Sequence, residues 1–263
     1  MYTHNLTPEV IDWGFIVIRW YSLAYIFGIL IGWFLAKKII KFKFSEAPNT
    51  LDDKKFDDLI SYLIISIILG GRIGYVIFYN LEYYLLNPID ILKIWQGGMS
   101  FHGALIGIVL GTYIFSIKKK IKTFILLDII ACVSPAGLFL GRISNFINAE
   151  LIGKPTEVIW GVIYPNIDYQ PRHPSQIYEA ILEGVLLFLI INLIMWRKNY
   201  QKGFCSALFL FFYGIFRIIA EQFREPDSQI GYLFSYISMG SLLSFVMVLS
   251  GIVIFFNLNK NAK

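Results

Sequence analysis

Ionisable side chains interrupt some of the most apolar stretches of this chain. FFYGIFRIIAEQFREPD carries Tyr213, Arg217, Glu221 and Arg224 at spacings of four, four and three. At about 100° per residue, these fall within roughly 80° on one helix face. In GRISNFINAELIG, residues Arg142, Asn145, Asn148 and Glu150 follow the apolar run LLDIIACVSPAGLFL and precede Gly153. GGRIGYV adds Arg72, GGMSFHGALIG adds His102, IRWYSLAY adds Tyr21 and RHPSQIYE adds His173. An ionisable group within a membrane span costs about 2.5–3.5 kcal/mol on insertion scales, so each needs a partner or a task. The planar arginine fork is always charged and grips phosphate with two parallel hydrogen bonds. A histidine nearby can exchange a proton near neutral pH. The series Arg217, Glu221, Arg224 also reads as a structural ion-pair ladder, and the two readings are compatible.

The elements that position these groups follow from composition. With 57% hydrophobic and 16% charged residues, the chain belongs with integral membrane proteins. Seven runs are long and apolar enough to cross a bilayer as helices, at about 15–36, 58–79, 99–116, 124–146, 178–196, 204–224 and 233–256. None shows the period-two alternation of a transmembrane barrel. The fold class expected is therefore an all-α, polytopic membrane bundle of seven transmembrane helices, one integral domain over 1–263. A small extracytoplasmic head is expected from about 80–98 and 147–177, with Tyr83, Tyr84 and Trp95 suited to a headgroup region.

Lysine and arginine in short loops stay on the cytoplasmic side. Lys37, Lys38, Lys41, Lys43, Lys54 and Lys55 follow the first span; Lys118, Lys119, Lys120 and Lys122 follow the third. Arg197, Lys198 and Lys202 follow the fifth, and Lys260 and Lys263 the seventh. The amino terminus is thus expected outside and the carboxyl terminus inside. The first span is expected to remain as an uncleaved anchor, since residues 1–14 lack a positively charged start. The surplus positive charge belongs to the inner face and makes no case for nucleic acid.

Cys132 and Cys205 lie in different apolar runs and form neither a disulfide framework nor a metal cluster. No motif for a metal or other cofactor is present. Most of the glycines at 70, 71, 74, 97, 98, 103 and 107 read as helix packing. On the seven-span map Tyr21, Arg72, His102, Arg142 and Arg217 all fall toward the outer ends of their helices. Scattered structural pairs have no reason to share one depth. The residues alone therefore point to an outward-facing site for a phosphorylated lipid with an acid/base residue. A transporter or flippase for an anionic lipid or phosphorylated solute would also use buried arginines. Such proteins usually bind near the midplane and carry paired repeats, and no repeat is visible here. A seven-span receptor would need no arginine series.

GRISNFINAELIG resembles the signature of the prolipoprotein diacylglyceryl transferase family. RWYSLAY, GGRIGYVIFYN, GGMSFHGALIG, PRHPSQIYE, FRIIAEQFREPD and YISMGSLLS resemble the family in the same order and cover nearly the whole chain. Ser144 and Ala149 stand where many members have glycine. The resemblance implies transfer of the diacylglyceryl group of phosphatidylglycerol to the lipobox cysteine of a prolipoprotein signal peptide, in the bacterial inner membrane and without a cofactor. It implies that Arg142 and Arg217 clamp the phosphate, and that His102 is either the base for the substrate thiol or a structural group at a helix start. Asn145 and Asn148 would hold the glycerol head group or the motif's own turn. Glu150 would orient an arginine, while Tyr21, Gly153 and Tyr213 belong to the substrate site. Glu221 and Arg224 would orient Arg217 or guard the lateral entrance.

Overall fold

A computed structural model describes residues 1–14, 17–44, 51–197, 200–226, 231–233 and 236–260. The basic-loop residues Lys198 and Lys263, and residues 45–50 of the polar loop, lie outside the described residues. Among the described residues, seven helices are long and apolar enough to cross a membrane: α1 (Trp20–Phe44), α2 (Asp53–Tyr79), α4 (Phe101–Lys119), α5 (Thr123–Ile147), α6 (Ser175–Met195), α7 (Phe204–Glu221) and α8 (Met239–Lys260). A short helix, α3 (Leu81–Leu86), follows α2. The helices do not end where hydropathy does. The first begins at Trp20 rather than 15 and continues through Lys37, Lys38, Lys41 and Lys43, because lysine is a good helix former even where lipid stops. The second starts at Asp53, five residues before its apolar run, because Asp52 caps it by accepting the Lys55 amide at 2.7 Å.

The chain divides into two compact units, one made of residues 1–36, 128–227 and 232–263, the other of 37–127 and 228–231. In the second unit, α2 packs on α4 through glycines on both faces. A Cβ on Gly74 would stand 2.5 Å from the Gly103 Cα, so the two backbones approach as only small residues allow. His102 lies in the first turn of α4, buried, after Ser100 caps the helix by accepting the Gly103 amide at 3.2 Å.

Arg72 in α2 departs from the sequence reading. Its fork donates to five backbone carbonyls: Nε to Ile91 at 2.8 Å, one terminal nitrogen to Gly97 and Gly98 at 2.6 and 3.2 Å, and the other to Asp90 and Lys93 at 2.6 and 3.3 Å. All five N–H of a guanidinium are thereby engaged, and this arginine holds the segment after α3 rather than offering itself to a phosphate. Tyr84, expected in the headgroup belt, is buried with its ring 5.1 Å from the Arg72 guanidinium carbon. Trp95 is 77% exposed.

In the first unit, α5 and α7 are tied at their starts. Asp128, fully buried in α5, accepts the amides of Gly203 and Ser206 at 2.6 and 2.8 Å and the Ser206 hydroxyl at 2.6 Å. A carboxylate placed on the orphan N–H groups of a helix start complements its dipole. Because Asp128 fixes the beginnings of α5 and α7, their far ends also lie together, and the antiparallel α6 brings its own beginning to them. Beside those ends, β1 (Tyr2–Thr3) pairs parallel with Val162–Ile163, which pairs antiparallel with Pro171–Arg172. His4 follows β1 and holds the end of α5 through Nε2 and the Phe146 carbonyl at 2.9 Å.

Candidate functional site

The end of α5, the first turns of α6 and the end of α7 meet in a cluster of three arginines and three glutamates. Arg142 of α5 pairs with Glu179 at 2.9 Å and with Glu183 at 3.0 Å, both from α6. Arg217 of α7 reaches Glu179 at 2.9 Å, Glu221 at 2.8 Å and Glu183 at 3.6 Å. Arg224, just past α7, reaches Glu179 at 3.4 Å. Glu179 therefore serves all three arginines. The side chains of Glu179 and Glu183 are fully buried, whereas that of Arg142 is 14% exposed, more than the 9% of Arg217 or the 7% of Arg224. The three positive and three negative charges balance. Tyr213 is fully buried one turn before Arg217.

Of the two roles expected of the α7 series, the geometry here bears on the ion-pair ladder. The ladder step from Arg217 to Glu221 exists, but it is one edge of a network across three helices rather than a stripe on one. Glu179 and Glu183, the hub of that network, were not singled out from the sequence. Their signal was available: two acids at i, i+4 inside an apolar run, on the face where neighbouring turns of a helix align.

Asn145, Asn148, Glu150 and Tyr21 form a second group at the end of α5. The Asn145 Nδ2 donates to the Tyr21 hydroxyl oxygen at 2.7 Å and to Glu150 at 3.1 Å, and Asn148 Nδ2 donates to Glu150 at 3.4 Å. The two asparagines thus close the motif's own turn around Glu150, and the arginine is oriented instead by Glu179 and Glu183. The turn is tight: Ala149 and Leu151 both have φ of 53°, in the left-handed region that costs an L-residue roughly 1–2 kcal/mol. This is the physical reason a glycine suits position 149. Ala149→Gly should raise stability by about 1 kcal/mol, seen as a higher melting temperature in detergent; an unchanged or lower value would mean that the turn tolerates the methyl group without strain. Ser144, in the other glycine-like position, donates its hydroxyl to the Trp20 carbonyl at 3.3 Å.

Gly153 closes the motif at a crowded seam. Its strand segment bridges Arg224 on one side, with the Lys154 amide donating to the Phe223 carbonyl at 2.8 Å and the Glu225 amide to the Ile152 carbonyl at 3.0 Å. On the other side the His173 amide donates to the Lys154 carbonyl at 3.0 Å. A Cβ on Gly153 would stand 2.7 Å from the Phe223 carbonyl oxygen and 2.8 Å from the His173 Cβ, and would press still harder on the His173 carbonyl. Gly153→Ala must therefore part the backbone that carries Arg224. We expect a stability loss of about 1–3 kcal/mol with a larger fall in activity. An alanine variant of unchanged melting temperature and activity would show that the seam does not position Arg224.

His173 belongs to this seam. Its Nδ1 lies 3.1 Å from the Tyr178 hydroxyl, and its ring packs edge-on against Phe223 at 5.1 Å. Partial burial, with Lys154 nearby, lowers its pKa and favours the neutral imidazole. Next to it, Arg172 clamps Asp168 and reaches Glu225 at 3.0 Å, and this pairing holds the Asp168 carboxyl below its ordinary range. His102 is in the other compact unit, and its surroundings are those given above. Among the described residues no group of three or more histidine, cysteine or acidic side chains could hold a metal.

The geometry, an always-charged fork held by buried carboxylates at the signature arginine, is accompanied by similarity over nearly the whole chain. A sequence profile described as prolipoprotein diacylglyceryl transferase matches residues 8–257. The chain belongs to the prolipoprotein diacylglyceryl transferase family. It is 51% identical over 259 residues to the phosphatidylglycerol–prolipoprotein diacylglyceryl transferase of Rickettsia typhi, covering 97% of this chain and 98% of that protein. It is also 49% identical to the enzyme of that name from Rickettsia bellii, over 94% of both chains. The Rickettsia felis protein of the same name is 50% identical, over 94% of this chain and 95% of that one. With its seven apolar helices, this member of the transferase family is a multi-pass protein of the bacterial inner membrane.

Proposed function

We propose that this protein transfers the diacylglyceryl group of phosphatidylglycerol to the cysteine thiol of a prolipoprotein, releasing glycerol phosphate. Family membership supports the reaction. The observation that carries the site assignment is the Arg142 fork, the most accessible of three arginines and fixed by two buried carboxylates. In the transfer, the substrate sulfur attacks the glycerol carbon bearing the phosphate ester. The carbon–sulfur bond forms, the carbon–oxygen bond breaks, and its electron pair leaves on the phosphate oxygen. Negative charge grows on that phosphate, where preorganised guanidinium donors are worth most because the site need not reorganise.

The roles follow. Arg142 and Arg217 bind and stabilise the phosphate, with Glu221 and Arg224 holding Arg217 and its surroundings. Tyr21, Asn145, Asn148, Glu150, Gly153 and Tyr213 shape the substrate site. His102 takes the thiol proton, a role resting on its motif and on imidazole chemistry. The attacking sulfur comes from the lipobox cysteine of a signal peptide entering from the bilayer. The whole chain acts as one integral domain with the amino terminus outside, the carboxyl terminus inside and the site toward the outer leaflet, a topology supported by the basic loops.

The direct test is to incubate purified protein with phosphatidylglycerol and a lipobox peptide and weigh the peptide by mass spectrometry. A diacylglyceryl mass gain on cysteine, absent when that cysteine is serine, is expected. Folded protein that adds no mass while moving lipid or solute across vesicles would replace the transferase with a transporter.

A further inference from the structure

The buried carboxylate of Glu183 is the least accounted for of the groups around Arg142. It is fully buried in α6, so it is no surface ion pair. Its Oε2 accepts from Arg142 Nε at 3.3 Å and Nη2 at 3.0 Å, the whole side edge of the fork. Glu179 Oε2 lies 2.9 Å from Nη1 as an ion pair, without hydrogen-bond geometry. Among the described residues, the hydrogen bonds to Glu183 engage two of the five N–H that a guanidinium carries. The three that remain sit on the terminal nitrogens, on the most accessible of the three arginines.

The backbone is built to make this contact. Over Ala180–Leu186 the helix widens to a π-turn, a deviation that recurs at functional sites. Immediately after Glu183, Gly184 lies against α5 so closely that a Cβ there would be 2.7 Å from the Phe139 Cβ. Phe139 and Arg142 are three residues apart, on one face of α5. The close approach at Gly184 thus sets Glu183 at the level of Arg142.

We propose that Glu183 is a positioning residue for diacylglyceryl transfer: by holding the side edge of Arg142 it aims the remaining terminal N–H groups at the lipid phosphodiester. This inference rests on the transferase reading above. An unrestrained arginine is long and samples many rotamers, and its attraction for an anion would survive without Glu183. What would be lost is the fixed plane that matches the phosphate oxygens as they gain charge. A glutamine at 183 keeps one acceptor but turns an amide donor toward the fork.

The test measures transfer to a lipobox peptide as a function of phosphatidylglycerol concentration. Glu183→Gln should lower kcat by about 10–100-fold and leave KM for the lipid within roughly threefold. Glu183→Asp keeps the charge balance, so it should fold even where glutamine does not, and should lose about tenfold in kcat because its carboxylate is one methylene short. In an Arg142→Lys background, Glu183→Gln should cost less than about threefold further, because lysine has no side edge to hold. Wild-type protein that transfers nothing would sink the transferase reading itself. An active wild type with normal kcat in the folded variants, with a rise in KM alone, or with full additivity to Arg142→Lys would overturn the role of Glu183.

Discussion

Replacing Arg142 with lysine lowers diacylglyceryl transfer by about 10²–10³-fold while leaving the protein in the membrane. The magnitude is that of removing one preorganised donor from a developing oxyanion. Charge is not the variable, since lysine keeps it. Arg142 engages two different carboxylates at once, Glu179 through one terminal nitrogen and Glu183 through Nε and the other. An ammonium is a point charge on a flexible stem and cannot hold that edge while presenting further donors in a fixed plane. The loss should appear mainly in kcat, because the neutral sum of three arginines and three glutamates means that the lipid is not held by surplus charge. Transfer rates over a phosphatidylglycerol titration, compared between wild type and Arg142→Lys, decide the matter. A lysine variant within threefold of wild type would show that only the charge at 142 is used.

The bundle was legible because a bilayer imposes one demand on every span, an apolar run of fixed length. Helix ends were less so: the run of lysines after residue 36 continues α1, and Asp52 starts α2 ahead of its apolar stretch. Intramembrane charge flagged Arg142, Arg217, Glu221 and Arg224, yet the same rule applied to Arg72 gave the wrong partner. A sequence does not tell whether an arginine meets phosphate or the carbonyls of its own loop. Asp128, Glu179 and Glu183 obeyed the rule too and were passed over inside their apolar runs. Their partners come from helices far away in sequence, 75 residues in the bond from Gly203 to Asp128 and 41 between Arg142 and Glu183. The glycine preference at 149 needed the backbone angle to acquire a cause.

Glu179→Gln should be the most destabilising single substitution in the cluster. Its carboxylate meets Arg142 and Arg217 at 2.9 Å each and Arg224 at 3.4 Å, and the side chain is fully buried. A buried pair owes little net stability to its existence, but removing one partner strands the other, at about 3–5 kcal/mol. Here one neutralised carboxylate leaves three buried arginines facing Glu183 and Glu221 alone. The expected readout is a fall in melting temperature of roughly 10 °C, or poor recovery from the membrane. A sharper sign separates charge from packing. Binding that favours the folded state raises its stability by linkage, and an anionic lipid would supply the missing negative charge. Phosphatidylglycerol should therefore raise the melting temperature of Glu179→Gln more than that of wild type, whereas a zwitterionic lipid should not. Glu179→Gln melting together with wild type would mean that Glu183 and Glu221 suffice for three arginines. A variant equally rescued by both lipids would show that shape, rather than charge, had been lost.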